Sequence, residues 1–578
     1  MTASDGTTVA IPESGVVVFV GPNNAGKSQS LKDLIGHVRN GPTYGGTTIS
    51  AVTTSKAGSH GEAAEWASAH LPRVKREGVE RMLVPGWGEV AATDFGQQWV
   101  GGGPGLSVLT DAMMLYADGT TRLTAGNAQP SLDFRIGHPV HPIQRAYKEP
   151  ALEREFSGVG ESAFGMEVVV DRYSGSVIPL RVGKRPDFEH IDGLPTQAYL
   201  EALSAVPQLE QQGDGVKSFL GLMIQLIGGN HEAILVDEPE AFLHPPQARL
   251  LGRLLAQRAS GQQVFLATHS AAILQGVLEA GTAVTIIRLT REGGVNRAAV
   301  LDDSALQELW ADPLLRYSDV LDGLFYDAVI LCESDSDCRY YAAVRDRLFP
   351  EGEGAHRRLE LLFAHCGGKA RLSVVIRALR AVQVPVVVIA DFDVLRIESD
   401  VQRAAQALGC DWDRLASKRK MLADALTSES KPLRKTAVRD ALNARMDEAA
   451  EVLGPSDIDA LRSILKVETG WDKVKRAGLS AVPQGPAYAA AEELLHELQN
   501  DGLLVVPVGE LERFVPAVSG HGPAWVNEVL AGRHHDTPSA EATAFVTALE
   551  LTARSKSGRN GLGSGAVGAT RPSGGSFG

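Results

Sequence analysis

The sequence predicts an α/β protein, and three observations carry that prediction. A continuous apolar run, GVVVFV at 15–20, leads through a Gly-rich turn into a helical stretch, SQSLKDLIGHV. Further on, AILVDE, a helical segment over 246–258 and QVFLATHS follow one another. The alternation restarts near residue 327 with AVILCE, a helical segment over 335–348, an apolar run over 359–364 and PVVVIADFD. Strand–helix–strand alternation builds parallel sheets. Their strands are buried on both faces, so they read as unbroken apolar runs rather than alternating ones.

The chain has 578 residues, room for three or four domains at about 150 residues each. Its 44% hydrophobic and 22% charged residues match a soluble globular protein and exclude collagen-like, mucin-like and broadly disordered classes. The formal charge is −14, which excludes a simple polycation but leaves room for a local basic groove. Four cysteines stand at Cys332, Cys338, Cys366 and Cys410, with no CxxC pair. Neither a zinc ribbon nor a secreted disulfide framework is expected. The opening MTASDGTTVAIPESG carries an acid and no base before its first apolar run, so it does not read as a signal peptide. No apolar run approaches the ~20 residues of a membrane helix. No membrane association is expected, and the expected compartment is the cytoplasm.

Element by element, 15–20 is a strand and the Ser28–Val38 stretch a helix. From about 45 to 205 the pattern turns irregular, with GGG at 101–103 and short alternating pieces such as MEVVVDRY. This reads as a β-rich insertion with loops. Regularity returns with the helix VKSFLGLMIQLIGG, the strand AILVDE, the next helix and QVFLATHS, and VTIIRL at 284–289 closes the sheet. The first domain is therefore 1–305, and 306–326 is a linker. The second domain, 327–553, carries a charged helical insertion over about 396–500 and returns to strand with LLVVPV at 503–508. Residues 554–578, rich in Gly and Ser, read as a disordered tail.

Gly21-Pro22-Asn23-Asn24-Ala25-Gly26-Lys27-Ser28 fits GxxxxGK[ST], with a strand before it and a helix after it. Gly21 and Gly26 allow the loop to bend. The backbone N–H groups around Asn23, Asn24 and Ala25 then face phosphates at a helix N-terminus, where the dipole favours anions. Lys27 reaches the β- and γ-phosphates, and the Ser28 hydroxyl ligates Mg²⁺. ATP is therefore an expected ligand. In AILVDEP an apolar strand ends in two acids: Asp237 is the expected Mg²⁺ holder and Glu238 the group that polarises the attacking water. His269, in THS at the end of the next strand, lies where it can contact the γ-phosphate.

The P-loop, DEPE-x-x-L-H-P and THS, in this order, resemble the ABC-type ATPases of the structural-maintenance, RecF and OLD branch. That resemblance implies a head-to-tail dimer, in which a signature loop from one subunit completes the other's site. At the corresponding place stands Gln212-Gly213-Asp214-Gly215-Val216-Lys217-Ser218, which departs from LSGGQ but keeps a Gly-rich turn opening a helix. Gly213 and Gly215 are the expected phosphate contacts in trans.

The second domain carries clustered acids. Glu333 follows the strand AVILC, and Asp337 lies one helical turn on, so both carboxylates can face one point. Asp391-Phe392-Asp393 ends PVVVIA, and a spacing of two puts both acids on one side of an extended chain. Carboxyl ends of parallel strands are where α/β sheets build their sites. Oxygen-only ligands favour Mg²⁺ or Mn²⁺.

Glu, then GGK, then DxD at this spacing resemble a Toprim domain. The resemblance implies a third acidic element after a later strand. Gly509-Glu510-Leu511-Glu512, after LLVVPV, fits it; either glutamate, or both, can point inward. An ABC-type ATPase followed by Toprim resembles the OLD (overcoming lysogenization defect) family, and in particular its short phage-defence members of the Gabija A type. Family members carry a C-terminal lysine near the Toprim metals. Lys556 is the candidate, and Lys369 in the GGK turn is another basic group near the acids. Lys/Arg clusters over 356–358, 371–380 and 417–439 are candidates for phosphate contact.

The expectation is an ATP-regulated, divalent-metal-dependent DNA endonuclease of an antiviral defence system, with DNA as substrate and a homodimer or tetramer as assembly. Family analogy admits a helicase-like partner protein, which no residue shows. The rival is a non-nucleolytic ATP-gated DNA sensor or repair ATPase. Strand-passage chemistry needs a nucleophilic tyrosine in a DNA-breaking domain, and no winged-helix pattern surrounds Tyr340 or Tyr341.

Overall fold

The computed structural model describes residues 1–56, 58–103, 105–133, 135, 138–259, 261–292, 294–301, 321–350, 358–428, 434–465 and 469–558. Linker residues 306–320, tail residues 559–578 and basic-cluster residues 356–357 and 431–433 lie outside the described residues. The chain divides into two compact units: one is Met1–Tyr326 with Ala381–Gln383, the other Asp327–Arg380 with the chain from Val384 onward.

The first unit is built on β1 (Gly15–Val20), α1 (Lys27–Asn40), β2 (Met114–Ala117), α2 (Gly119–Thr124), α3 (Asp214–Gly228), β3 (Ala233–Asp237), α4 (Pro245–Arg258), β4 (Gln263–Ala267), α5 (Ala271–Glu279), β5 (Val284–Glu292) and β6 (Val295–Val300). Its main sheet has the order β6-β5-β1-β4-β3-β2. The strands from β5 to β2 run parallel, and β6 is an antiparallel edge. All six residues of β1 are buried. Val17 and Phe19 join Leu31, Leu34 and Val38 of α1 in one core; the strand's period of two sends Val16, Val18 and Val20 to the other face.

The 45–205 stretch holds short strands, Ile49–Ala51, Arg73–Arg76, Val79–Val84, Gly88–Val90, Glu167–Val170 and Leu180–Gly183 among them, and more helix than its pattern suggests. Helices His60–His70, Ala92–Gly101, Pro142–Lys148, Pro150–Phe164 and Gln197–Ala205 make up much of it. Some of its aromatics and glycines serve helix packing. Trp66 and Phe95 stack with centroids 5.6 Å apart, and a Cβ on Gly96 would collide with the His60 carbonyl. Met114–Ala117 is a strand of the main sheet itself, parallel to β3. Four residues are too few to show a period, so nothing local marks it.

The second unit is built on β7 (Ala328–Cys332), α6 (Asp335–Leu348), β8 (Leu361–His365), β9 (Val386–Ala390), β10 (Leu503–Val505) and α7 (Ala540–Lys556). Its sheet has the order β8-β7-β9-β10, all parallel. Tyr340, Tyr341, Phe514, Trp525 and Phe545 share the core with Ile330, Val387 and Leu504. With 1% and 0% exposure, Tyr340 and Tyr341 are core residues and not accessible nucleophiles. The 396–500 stretch is helical, with Glu398–Leu408, Trp412–Ser428, Lys435–Glu448, Pro455–Leu465, Gly470–Ala477 and Pro486–Asp501. Because the four strands are parallel, their carboxyl ends lie on one edge of the sheet.

Candidate functional site

The first site forms at the carboxyl ends of β1, β3 and β4. The loop after β1 is held by left-handed backbone at Gly21 (φ 142°), Asn24 (φ 62°) and Gly26 (φ 93°). At Gly21 and Gly26 a side chain is sterically barred too: a Cβ would meet the Leu289 carbonyl at one and the Asn296 amide and Thr48 hydroxyl at the other. Gly26 caps α1, so Lys27 and Ser28 open the helix. Asn23 and Asn24 are exposed and Ala25 is buried. The Lys27 ammonium folds across the loop and donates to the carbonyls of Gly21 (2.8 Å) and Pro22 (3.0 Å).

Asp237 ends β3. Its Oδ2 accepts from the Tyr116 hydroxyl at 3.4 Å, while its buried Oδ1 has no hydrogen-bond partner among the described residues. A buried carboxylate oxygen without a donor suits a metal ion or a metal-bound water. The Ser28 hydroxyl, at the start of α1, is an oxygen donor of the same hard kind, which suits Mg²⁺. Burial, and then the Asp237 charge, pushes the Tyr116 phenol above its ordinary value. Glu238 is exposed and sits in left-handed backbone at φ 47°, its N–H donating to the Ala267 carbonyl at 2.9 Å.

His269 is exposed beside Glu240. Glu240 accepts from the His269 backbone N–H at 2.9 Å and from the Thr268 hydroxyl at 2.8 Å, and the His269 ring nitrogen Nδ1 lies 3.2 Å from it. The turn Gly213–Lys217 opens α3. There Lys217 pairs with Asp214 at 2.7 Å, and Gly215 faces the Phe242 carbonyl.

The second site lies at the carboxyl ends of β7 and β9. One carboxylate oxygen each of Glu333, Asp391 and Asp393 falls within 4.8 Å of the others. The Asp391 N–H donates to Glu333 Oε1 at 3.1 Å. Lys369 pairs with Asp393 and lies 3.9 Å from Glu333; Lys475 lies 3.7 Å from Asp393. Burial, then repulsion from Asp391, drives the Glu333 carboxyl well above its ordinary range. Burial, then Asp337, does the same to Asp391, with Glu512 adding to it. Burial pulls the Lys369 ammonium down, against the pull of Glu333 and Asp391.

Asp337 is partly committed to structure: it accepts from the Ser334 N–H and hydroxyl, both at 2.8 Å, as a capping box for α6. Even so, burial raises its carboxyl, the two Ser334 bonds oppose that, and Glu512 adds repulsion. Glu512 accepts from the Gly522 N–H at 3.1 Å, and an oxygen of Glu510, one of Glu512 and a ring nitrogen of His521 fall within 4.8 Å of one another. Glu510 is 4% exposed and accepts from Arg513 at 3.0 Å. Oxygen ligands at mutually repelling carboxylates fit a divalent cation of the Mg²⁺ or Mn²⁺ kind.

Lys556 is not at this site. At the end of α7, its side chain approaches Gly502, the residue before β10, and so lies near the amino ends of the strands. Register sets Gly502 about four residues, roughly 13 Å, upstream of Asp391 at ~3.3 Å per residue. The acids occupy the opposite end of the sheet.

Residues 185–275 match the family described as "AAA domain, putative AbiEii toxin, Type IV TA system". The match takes in α3, β3, α4 and β4, and with them Asp237, Glu238 and His269. The chain contains an AAA-type P-loop ATPase domain. No curated protein matches the sequence. Among solved structures the chain is similar to an SmcHead bound to the C-winged helix domain of ScpA. That match has 13% identity, covers 52% of this chain and 94% of that one, and has a TM-score of 0.30. It is similar also to the SMC head domain from Thermotoga maritima, with 15% identity, 51% and 92% coverage and a TM-score of 0.25. These TM-scores are low, and the fold rests on the sheet order and the motifs.

Residues of these sites that escaped the sequence include Tyr116, Arg122, which donates to the Asp237 carbonyl, and Glu240 in the ATPase domain, and Lys475 and His521 beside the acids. Glu240 alone left a trace, as the last acid of DEPE. Several residues of the basic clusters are tied into the fold. Arg358 pairs with Asp346, Arg380 donates to the Ala407 carbonyl at 2.7 Å, Lys418 pairs with Glu493 and Glu497, and Arg419 pairs with Glu398 at 2.7 Å. Among the described residues, no helix is long and apolar enough to cross a membrane.

Proposed function

We propose that the protein is an ATP-regulated, divalent-metal-dependent DNA endonuclease, with an ABC-type ATPase domain at 1–305 and a Toprim nuclease domain at 327–553. The observation that carries the reading is the convergence of Glu333, Asp391 and Asp393 within 4.8 Å at the carboxyl ends of parallel strands. Burial, then the Asp391 charge, raises the Glu333 carboxyl, and burial, then the Asp337 charge, raises that of Asp391, a cost that a bound cation removes. Glu333, Asp391 and Asp393 hold Mg²⁺ or Mn²⁺, with Asp337 and Glu512 beside them. A bound cation supplies Lewis-acid stabilisation and an activated water. Lys369, which pairs with Asp393, would hold a phosphate oxygen of the DNA.

In the ATPase domain Lys27 holds the β- and γ-phosphates, Ser28 and Asp237 hold Mg²⁺, Glu238 polarises water, and His269 faces the γ-phosphate. Gly213 and Gly215 complete the site of a second copy, so the working form is a dimer or tetramer. The OLD-like order of domains supports an antiviral role beside a helicase-like partner protein.

The deciding experiment is plasmid cleavage by purified protein with Mg²⁺ or Mn²⁺, with and without ATP. Asp391→Ala is expected to lose cleavage by about 10²–10³-fold while ATP hydrolysis persists. Wild-type nicking by Asp391→Ala would refute the nuclease reading and leave a non-nucleolytic, ATP-gated DNA sensor.

A further inference from the structure

Arg122 is one of the largest fully buried side chains of the protein, at 1% exposure, yet it makes no carboxylate ion pair among the described residues. Its guanidinium is spent on three acceptors in two places, α3 and the end of β3. Nε donates to the Ser218 hydroxyl of α3 at 3.1 Å. Nη1 donates to the Asp237 carbonyl and Nη2 to the Glu238 carbonyl, the latter at 2.9 Å. Burial pulls its proton affinity down, and the charges of Glu240, Asp237, Asp118 and Glu238 oppose that pull. A charge is kept in the interior only where its hydrogen-bonding geometry is well satisfied.

What the guanidinium holds is strained. Glu238 lies at φ 47°, a conformation an L-residue with a long side chain adopts only when its surroundings impose it. Three bonds hold it: the Glu238 N–H donates to the Ala267 carbonyl, and the Glu238 carbonyl accepts from the Ala241 N–H at 3.0 Å and from Arg122. The other end of the guanidinium reaches α3, the helix opened by the Gly213–Lys217 turn. The packing there is close enough that a Cβ on Gly221 of α3 would collide with the Arg122 carbonyl. Arg122 thus bridges the Gly-rich turn's helix and the acidic end of β3 through one rigid, planar group.

We infer that Arg122 is a positioning residue that aims Glu238 and couples its aim to α3, so that the placement of α3 tunes hydrolysis at the Asp237–Glu238 strand end. Arg122 does not touch nucleotide. Its loss therefore leaves the P-loop, and so ATP affinity, in place while the carboxylate of Glu238 relaxes out of line. The inference rests on Glu238 as the water-polarising group.

The test is steady-state ATPase kinetics on the full chain, with binding of a fluorescent ATP analogue measured separately. Arg122→Gln is expected to lower kcat by about 10–100-fold, the effect of misplacing a reacting group by about 1 Å, with KM and analogue affinity within about twofold of wild type. Arg122→Lys, which keeps the charge but not the fork, should fall between the two. Ser218→Ala removes only the tie to α3 and should lower kcat several-fold with KM unchanged; it carries the test if Arg122→Gln does not fold. Wild-type kcat in folded Arg122→Gln, or parallel losses of kcat and analogue binding, would overturn the inference. Glu238→Gln separates the layers. Hydrolysis at the wild-type rate there refutes the role of Glu238 itself. Lost hydrolysis there, with normal Arg122 and Ser218 variants, refutes only the coupling.

Discussion

The backbone N–H of Asp391 donates to the Glu333 carboxylate at 3.1 Å, bridging the ends of β7 and β9. That bond places two largely buried acids side by side, and both carboxyls are raised above their ordinary values, chiefly by burial. A raised folded-state value means that the folded protein binds protons more tightly than the unfolded chain. The contribution of these groups is therefore favourable below the ordinary carboxylate range and is lost as pH rises through the raised values. Chelator-treated protein should lose melting temperature from about pH 5 to pH 8, and Mg²⁺ should restore more at pH 8 than at pH 6. Thermal-shift curves at both pH values check this. Equal Mg²⁺ shifts in wild type and in a Glu333→Gln, Asp391→Asn double variant would count against a cation at these acids.

In the ATPase domain, Lys27 is the cation of the loop, and it already spans the Gly21 and Pro22 carbonyls. Lys27→Ala should weaken ATP binding, read by titration with a fluorescent analogue. Glu238→Gln keeps the size of the side chain and leaves Asp237 untouched. It should bind ATP at wild-type affinity and hydrolyse it at least ~10²-fold more slowly. An unchanged rate in Glu238→Gln would remove the acid from its assigned role.

Glu510 and Glu512 separate by environment. Glu510 is 4% exposed and bonded to Arg513, whereas the charge of Glu512 reaches both Asp337 and Asp391. Glu512→Ala should therefore weaken Mn²⁺ binding, read by titration calorimetry, and cleavage with it. Glu510→Ala should instead cost about 1–3 kcal/mol of stability, the loss of a bond to a charged group, with metal affinity retained. The reverse pattern would make Glu510 the ligand.

The sequence shows some of this plainly and hides the rest. Where function sits on contiguous residues, as in Gly21–Ser28 or at the end of β3, the local pattern is enough. The strands β1, β7 and β9 announce themselves because both faces are buried. Arg122 meets Asp237 and Glu238 across more than a hundred residues, and no local pattern encodes such a meeting. The same holds for Met114–Ala117, a strand only because β3 lies beside it, and for Lys475, which reaches Asp393 from a helix in the 396–500 stretch. Lys556 failed for a related reason: its place depends on the direction in which α7 crosses the sheet. Glu512 and Glu510 are equivalent in sequence and become distinct only once Arg513 claims one of them.

The second unit also carries a buried ion pair that joins α6 to α7. Arg345 donates to Glu550 at 2.8 Å, with side-chain exposures of 5% and 4%. Arg345 also donates to the Leu359 carbonyl at 2.7 Å, and Arg554 donates to Glu550 at 3.1 Å. Every charged group in this trio has a partner, which is the condition for tolerating charge in a core. Removing one member strands the other in a low-dielectric site. Glu550→Ala should therefore destabilise the second unit by about 3–5 kcal/mol, measured as a lower midpoint in urea with an unchanged slope. Replacing both partners, as in Arg345→Met with Glu550→Leu, removes the stranded charge and should recover much of that loss, because the desolvation penalty goes with it. The two units report separately: ATP binding in the first should survive the Glu550→Ala change. A loss below about 1 kcal/mol in Glu550→Ala, the value of an exposed pair, would mean that water reaches this bridge in solution and that the contact between α6 and α7 is looser than the packing of Val344, Leu549 and Ala553 requires.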